Sequence, residues 1–545
     1  MNPSIPADLS PYAGRWVAIV QGRVAGVGET PEAAKRLAQH NRPKERPSLQ
    51  FVEAPGGEPL HLPPLLDEIR PFLAALDIPV YLVGGAVRDA LMGRPGHDLD
   101  FVVPEQAIRL TFKMADYLNK PAYVLDQERD AGRVVLREEN TTLDFSRFRG
   151  PDLAADLRDR DFTINALALP ATAVTAHSVI DPHGGLADLA GRRLRLVQPQ
   201  ALERDPVRTL RAIRQSLALD FDLTPETRTA VRVAAPLLSG ASVERVRDEL
   251  VKLLNTAVPD RAVAEMYSLG LLAEVLPEIA ALADVAQSAP HTQPVLAHTL
   301  EVLRWLAVVE TAVVAQQPTA HASLQTAQEA LAPYAAALAQ HLERAVDGGL
   351  DGRVLLRLGG LFHDVGKKTT QTVTEDGRIR FLGHDGAGAE LANGRLRQLT
   401  FSNQAIKHVE TIVAGHMRPM LLAATGSAPS RRAIYRYFQA TQTAGLDICL
   451  LSLADHLGTY GGPGPEAEWQ QLVAVVTRLL AHYFDHHTDT VAPEPLVDGH
   501  DLIRLLQIQP GPEIGRLLRL IQEAQAAGEI HNREDALLLA QRSKN

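Results

Sequence analysis

"YLVGGAVRDALMGRPGHDLDFVV", residues 81–103, joins a glycine pair, an arginine and two alternate aspartates in one short stretch. Its second half reads as a strand, because apolar Leu99, Phe101, Val102 and Val103 follow the turn-forming run at 93–96. Side chains alternate along a strand, so Asp98 and Asp100 share one face and converge on a single point. Two carboxylates there repel each other unless a cation joins them. Mg²⁺ suits, since it takes oxygen ligands and shares them with phosphates. Just upstream, Gly84 and Gly85 let backbone N–H groups approach an anion, with Arg88 one helical turn on as a charged partner. A phosphate cradle ahead of a metal-binding strand is what nucleotidyl transfer requires, where a metal orients a triphosphate and activates an attacking hydroxyl.

The chain has 545 residues, more than one core usually supports, so several domains are expected. The single Cys449 excludes an internal disulfide framework and fits a reducing compartment. No basic start leads into an apolar run, and no run reaches membrane-spanning length, so the reading is cytoplasmic with no membrane partner. A net charge of -10 argues against nonspecific nucleic-acid binding and asks for a local basic surface. Arg192, Arg193, Arg195, Arg204, Arg208, Arg211 and Arg214 offer one, against only Glu203 and Asp205.

Along the chain, residues 1–57 read as a ββαβ module: two short strands around Gln21-Gly22, a helix opened by Thr30 and Pro31, and the strand "LQFVE". It is similar to a short accessory domain of unknown function and carries no visible chemistry. A linker is expected at 54–63, where "APGGEPLHLPP" breaks every period. Residues 64–198 alternate helices and strands, 199–280 turn helical, 285–485 are helical and His-rich, and 490–545 read as a turn and helix pair. Within the His-rich part, Ala330–Arg353 is Ala-rich and reads as an extended or partly mobile insertion. No repeats are present.

Three further motifs follow the first: "DLRDRDFTINALAL" from Asp156, "IDPHGGLADLAGRRLRLV" from Ile180 and "RDPVRTLRAIR" from Arg204. Their order and spacing resemble the bacterial-type, class II tRNA nucleotidyltransferase and poly(A) polymerase family, over roughly residues 65–275. The resemblance implies an α+β chain with a polymerase-β-like nucleotidyltransferase head and an all-α body ending in a helical tRNA-binding tail. It implies two Mg²⁺ on Asp98 and Asp100, and it places Arg160 and Asp161 near the triphosphate and ribose, with Asn165 from the same motif. Asp144, in "TTLDFSRF", falls on a neighbouring strand as a candidate third carboxylate. Asp205 and Arg208, spaced i, i+3, share a helix face and can offer an acceptor and a donor fork to a base edge. In the family, residues at these places select cytosine and adenine over guanine and uracil, with Arg211 and Arg214 further toward nucleotide or RNA. The family has Glu immediately before this Asp; here Arg204 stands there, with Glu203 one step back.

His298, His363, Asp364, His384, His416 and Asp455 fall in five helical segments that together resemble the metal-dependent HD phosphohydrolase domain. Imidazole and carboxylate donors suit Mn, Ni, Fe or Zn over Mg, for one ion or two. Adjacent His363 and Asp364 stand about 100° apart on a helix, so partners from other helices must close the shell. The expected activity is template-independent addition of C and/or A from CTP and ATP to the tRNA 3′ end. Full CCA addition, its CC-only and A-only parts, and poly(A) synthesis stay open, because residues 104–142 hold no feature that separates them. A phosphohydrolase or 2′,3′-cyclic phosphodiesterase acting on RNA ends is the alternative class, and the oligomeric state is open.

Overall fold

The computed structural model describes residues 8–53, 58–94, 96, 98–347, 349–507 and 509–544. Residues 54–57, the start of the expected linker, and residues 1–7 of the expected module lie outside them. The chain forms two compact units, residues 1–208 with 219–234, and residues 209–218 with 235–545.

The first unit opens with strands β1 (Arg15–Val20) and β2 (Arg23–Gly28), helix α1 (Pro31–Asn41) and strand β3 (Ser48–Val52), in sheet order β2-β1-β3. Thr30 caps α1 by accepting from the Ala33 N–H, with Pro31 at the first helical position. After helix α2 (Pro64–Ala74) comes a mixed six-stranded sheet built from β4 (Tyr81–Val83), β5 (Asp98–Val103), β6 (Ala122–Asp126), β7 (Ala131–Leu136), β8 (Thr141–Arg147) and β9 (Ala168–Pro170). Its order is β6-β7-β8-β5-β4-β9, with helix α3 (Gly85–Leu91) between β4 and β5, and helix α4 (Ala107–Leu118) after β5.

Alternation along β5 decides what each face does. Leu99, Phe101 and Val103 enter a core with Leu66, Ile69 and Leu73 of α2 and with Leu110 and Met114 of α4. On the opposite face Val102 packs with Tyr81, Phe148 and Leu157, and Trp16 and Ala18 of the N-terminal module join that same cluster. Trp16 sits edge-on to Tyr81, ring centroids 5.7 Å apart. The accessory module therefore covers part of the sheet face that carries Asp98 and Asp100. Helix α5 (Leu153–Arg158) packs Leu157 into the same cluster.

The second unit is nearly all helical. Those used below are α6 (Arg208–Leu219, its first and last residues belonging to the first unit), α7 (Val243–Leu254), α8 (Val295–Val309), α9 (Ala335–Glu343), α10 (Gly352–Phe362), α11 (His384–Gln398), α12 (Asn403–Gly415) and α13 (Ala444–Tyr460). The Ala-rich stretch is largely helical: α9 buries Ala335, Leu338 and Leu342 on one side, with Ala345–Asp347 and Leu350–Asp351 after it extended. Alanine is the best helix former, and here its small side chains leave the spaced leucines to make the packing stripe. The tail holds three helices, α14 (Gly499–Leu506), α15 (Pro512–Ala527) and α16 (Arg533–Arg542), around Leu502, Leu517, Ile521 and Ala536. The third helix carries its apolar residues as one consecutive run, 536–540, which hides it from a periodicity reading. No helix among the described residues is long and apolar enough to cross a membrane.

Candidate functional site

Strand β5 runs parallel to β8 in a register that sets Asp98 beside Thr142 and Asp100 beside Asp144. Asp98 and Asp100 stay open to solvent, and the Thr142 hydroxyl donates to Asp98 at 2.7 Å. The protein mass around Asp100, with the Asp144 and Asp98 charges, pushes its carboxyl up to about 6, against the pull of Arg160. A site that crowds like charges in this way fits a hard divalent cation. Asp144 is on the spot but occupied: Arg133 of β7 donates to both its oxygens, each at 2.7 Å.

Gly84, at the turn from β4 into α3, has φ +72 and ψ -136, a conformation open to glycine. A side chain there would meet Arg160 at 3.0 Å and the Asp100 carboxylate at 3.8 Å, so the backbone lies directly against the site. Gly85 opens α3, with the Arg88 guanidinium beside it. Arg160 is held by the buried carboxylate of Asp156, at 3.0 and 3.2 Å. Arg88 donates to Asn165 at 2.7 Å, and Asn165 donates to Asp161 at 3.0 Å, which joins three of the expected residues into one network. Asp161 and Asp205 both act on Arg208, whose charged form burial disfavours. Asp205 lies 3.6 Å from the Arg208 Nε, which is buried without a hydrogen-bond partner.

The expected basic surface is extensively neutralised. Arg193 and Arg195 pair with Asp188, Arg204 with Asp159 and Arg192 with Asp220. Within the second unit, Arg211 and Arg214 turn to Glu249 of α7, a residue only 3% exposed. Asp188 lies just ahead of the segment, whereas Asp159, Asp220 and Glu249 come from further along the chain, so counting charges within the segment overestimates its field.

In the second unit all six expected His and Asp residues meet. His298 of α8, His363 at the end of α10 and Asp455 of α13 form one triplet, and Asp364, His384 and His416 form another. Asp364 bridges them: its Oδ2 faces His363 at 3.2 Å and His298 at 3.7 Å, and its Oδ1 faces His384 at 3.5 Å and His416 at 3.9 Å. His363, His384 and His416 each direct Nδ1 at the carbonyl three residues back, at 2.7, 2.8 and 2.7 Å. That contact fixes the tautomer and aims Nε2 inward, the arrangement found around metal-bound imidazoles. The Nε2 atoms of His298 and His363 are buried without hydrogen-bond partners, so the cluster fits a cation. Burial disfavours charge on His363, yet Asp364 and Asp455 hold its pKa above the ordinary value, whereas burial and His363 push His416 down to about 4. The cluster opens into a cavity of about 1180 Å³, edged by Lys367, Arg378 and Arg380.

Residues 80–195 match the poly A polymerase head domain, 220–282 the "Probable RNA and SrmB-binding site of polymerase A", and 386–540 the second domain of tRNA nucleotidyltransferase. An A-adding tRNA nucleotidyltransferase of Deinococcus radiodurans is 34% identical over 479 residues, covering 87% of this chain and 97% of that protein. The chain belongs to the tRNA nucleotidyltransferase and poly(A) polymerase family. A CC-adding tRNA nucleotidyltransferase of Thermus thermophilus is 32% identical over 482 residues, covering 85% and 95%. A solved CCA-adding enzyme with CTP shares the fold at 18% identity and a TM-score of 0.58, covering 89% of this chain and 96% of that one.

Within this nucleotidyltransferase, sequence reading passed over Arg133, Thr142 and Asp156 in the head. Asp156 opens the quoted "DLRDRD" motif and was legible there as a partner for Arg160, i, i+4. Around the second cluster it passed over Lys367, whose ammonium lies 2.7 Å from Asp364, and His291, which stacks edge-on to His298 with centroids 4.7 Å apart.

Proposed function

We propose that this enzyme adds C and/or A, from CTP and ATP, to the 3′ end of tRNA without a nucleic-acid template. The observation that carries this reading is the gathering of Asp98 and Asp100, the Gly84 turn and the Arg88 and Arg160 guanidiniums at one end of a single sheet. Mg²⁺ on Asp98 and Asp100 would lower the pKa of the primer hydroxyl and neutralise charge on the triphosphate. Arg88 and Arg160, kept in place by Asn165 and Asp156, hold the triphosphate oxygens, and Asp161 takes the ribose side. Asp205 and Arg208 read the base edge by one acceptor and one donor fork. Arg133 holds Asp144 in register as a reserve carboxylate beside Asp100. Of the parts, residues 64–198 are the head, 199–280 the base-recognition and RNA-binding neck, and 490–545 the tRNA-binding tail, in a cytoplasmic protein. The test is incubation with tRNAs ending at the discriminator base, at C and at CC, supplied with CTP, ATP or both. Extension by neither nucleotide on any of the three would overturn the reading.

A second activity is supported by the bridging Asp364 and the orphaned imidazole nitrogens. We propose that residues 285–485 form an HD-type hydrolase holding Mn, Ni, Fe or Zn, and that it acts on phosphoesters at RNA ends such as a 2′,3′-cyclic phosphate. Bound metal would supply a hydroxide near neutral pH. Lys367 and the arginines at the cavity mouth would meet the phosphate.

A further inference from the structure

One cluster belongs to neither site above. His341 comes from α9, His408 from α12 and Asp447 from α13, and the two imidazole Nε2 atoms reach the same carboxylate oxygen, Asp447 Oδ2, at 2.9 and 2.8 Å. The carboxylate is fully buried and its other oxygen has no hydrogen-bond partner. The imidazoles are nearly covered, 8% and 11% exposed.

The hydrogen bonds here conflict. Arg344 Nη2 lies 3.2 Å from the same His408 Nε2 that faces Asp447. If that nitrogen carries a proton, it donates to Asp447 but meets a guanidinium N–H head-on. If it carries none, it accepts from Arg344 but sets a lone pair against the carboxylate. A cation held between Nε2 and the carboxylate removes the conflict. Two imidazole nitrogens and one carboxylate are the protein donor set of an open, three-ligand zinc site, and an ion between them would part the ligand atoms to roughly 3.3 Å from the 2.8 and 2.9 Å seen.

We propose that His341, His408 and Asp447 bind one Zn²⁺ that pins α9 to α12 and α13. It is separate from the six-residue cluster. His408 and His416 are eight residues apart, as are Asp447 and Asp455, which is roughly 12 Å of helix. No fourth His, Cys, Asp or Glu joins the group among the described residues, so water fills the last position. Arg344 then turns to the orphaned Asp447 Oδ1.

The test uses full-length protein loaded with Zn²⁺, desalted, and measured by plasma mass spectrometry. In a His363→Ala/Asp364→Ala background, which disables the other cluster, about one zinc per chain should remain, and adding His408→Gln should remove it. In otherwise wild-type protein, His341→Gln should lower zinc by one equivalent and reduce the loss of melting temperature caused by a chelator, with tRNA extension within about twofold. Should the background variant not fold, the wild-type minus His408→Gln difference in zinc reads the same quantity. A zinc content that neither His341→Gln nor His408→Gln changes would overturn the site and leave a hydrogen-bonded clamp.

Discussion

Function and stability oppose each other at Asp100. Its carboxyl, raised to about 6 by the surrounding protein and by Asp144 and Asp98, ionises less readily in the fold than in the unfolded chain. The fold therefore loses stability as pH rises from about 4 through 6, and the metal-free protein at neutral pH carries that penalty in full. Asp100→Asn should raise the melting temperature of metal-free protein at pH 7 while reducing nucleotide incorporation by about 10³-fold or more. The same carboxyl, protonated below pH 6, no longer offers a charged oxygen to the ion, so the Mg²⁺ needed for half-maximal incorporation should climb between pH 7 and pH 5. A flat Mg²⁺ requirement over that range would remove Asp100 from the metal site. At the base edge, Asp205→Ala and Arg208→Ala should cut discrimination against UTP and GTP by roughly 10–100-fold, the value of a good bidentate contact, with KM for CTP or ATP moving less. Unchanged discrimination would place selection elsewhere. The identities of these residues were legible in the sequence. The Arg133 partner of neighbouring Asp144 was not, because it reaches Asp144 only across the β7–β8 register.

Single elements set the precision of the second site. The turn after His363 brings Gly366 against the first turn of α11: a Cβ there would lie 2.1 Å from the His384 carbonyl oxygen and 2.6 Å from the Gly388 nitrogen. Both are backbone, so neither can swing away, and α11 would have to shift together with its His384. Gly366→Ala should therefore lose bound Mn or Ni although it alters no ligand, with tRNA extension retained. Metal analysis of the purified variant beside wild type decides it, and an undiminished metal content would mean α11 does not depend on this contact. The Ala-rich segment shows why an element's state eluded the sequence: its composition favours a helix, yet the burial of Ala335, Leu338 and Leu342 that orders it comes from packing on other elements, α10 among them.

Across the whole molecule, the nucleotidyl-transfer residues and the six-residue cluster fall in different compact units. Their chemistries should separate. His363→Ala/Asp364→Ala should abolish any hydrolysis of a 2′,3′-cyclic phosphate while leaving tRNA extension within about twofold. A folded double variant that lost extension would show coupling between the units. The N-terminal module is less autonomous than its sequence implied, because Trp16 and Ala18 share a cluster with Tyr81 and Val102 of the head sheet.

By itself the sequence determined the chemistry on offer. Two alternate aspartates on a strand, a glycine turn, an arginine-rich helix and six spaced His and Asp residues are local facts, set by periods of 2 and 3.6 residues that hold wherever the chain goes. Only the tertiary structure decided which of those groups are engaged. Arg133 claims Asp144, Glu249 claims Arg211 and Arg214, Asp364 bridges two triplets, and His341 meets His408 and Asp447 from three helices. Each pairing joins residues that no local period relates, so it comes into being only when the helices and strands pack.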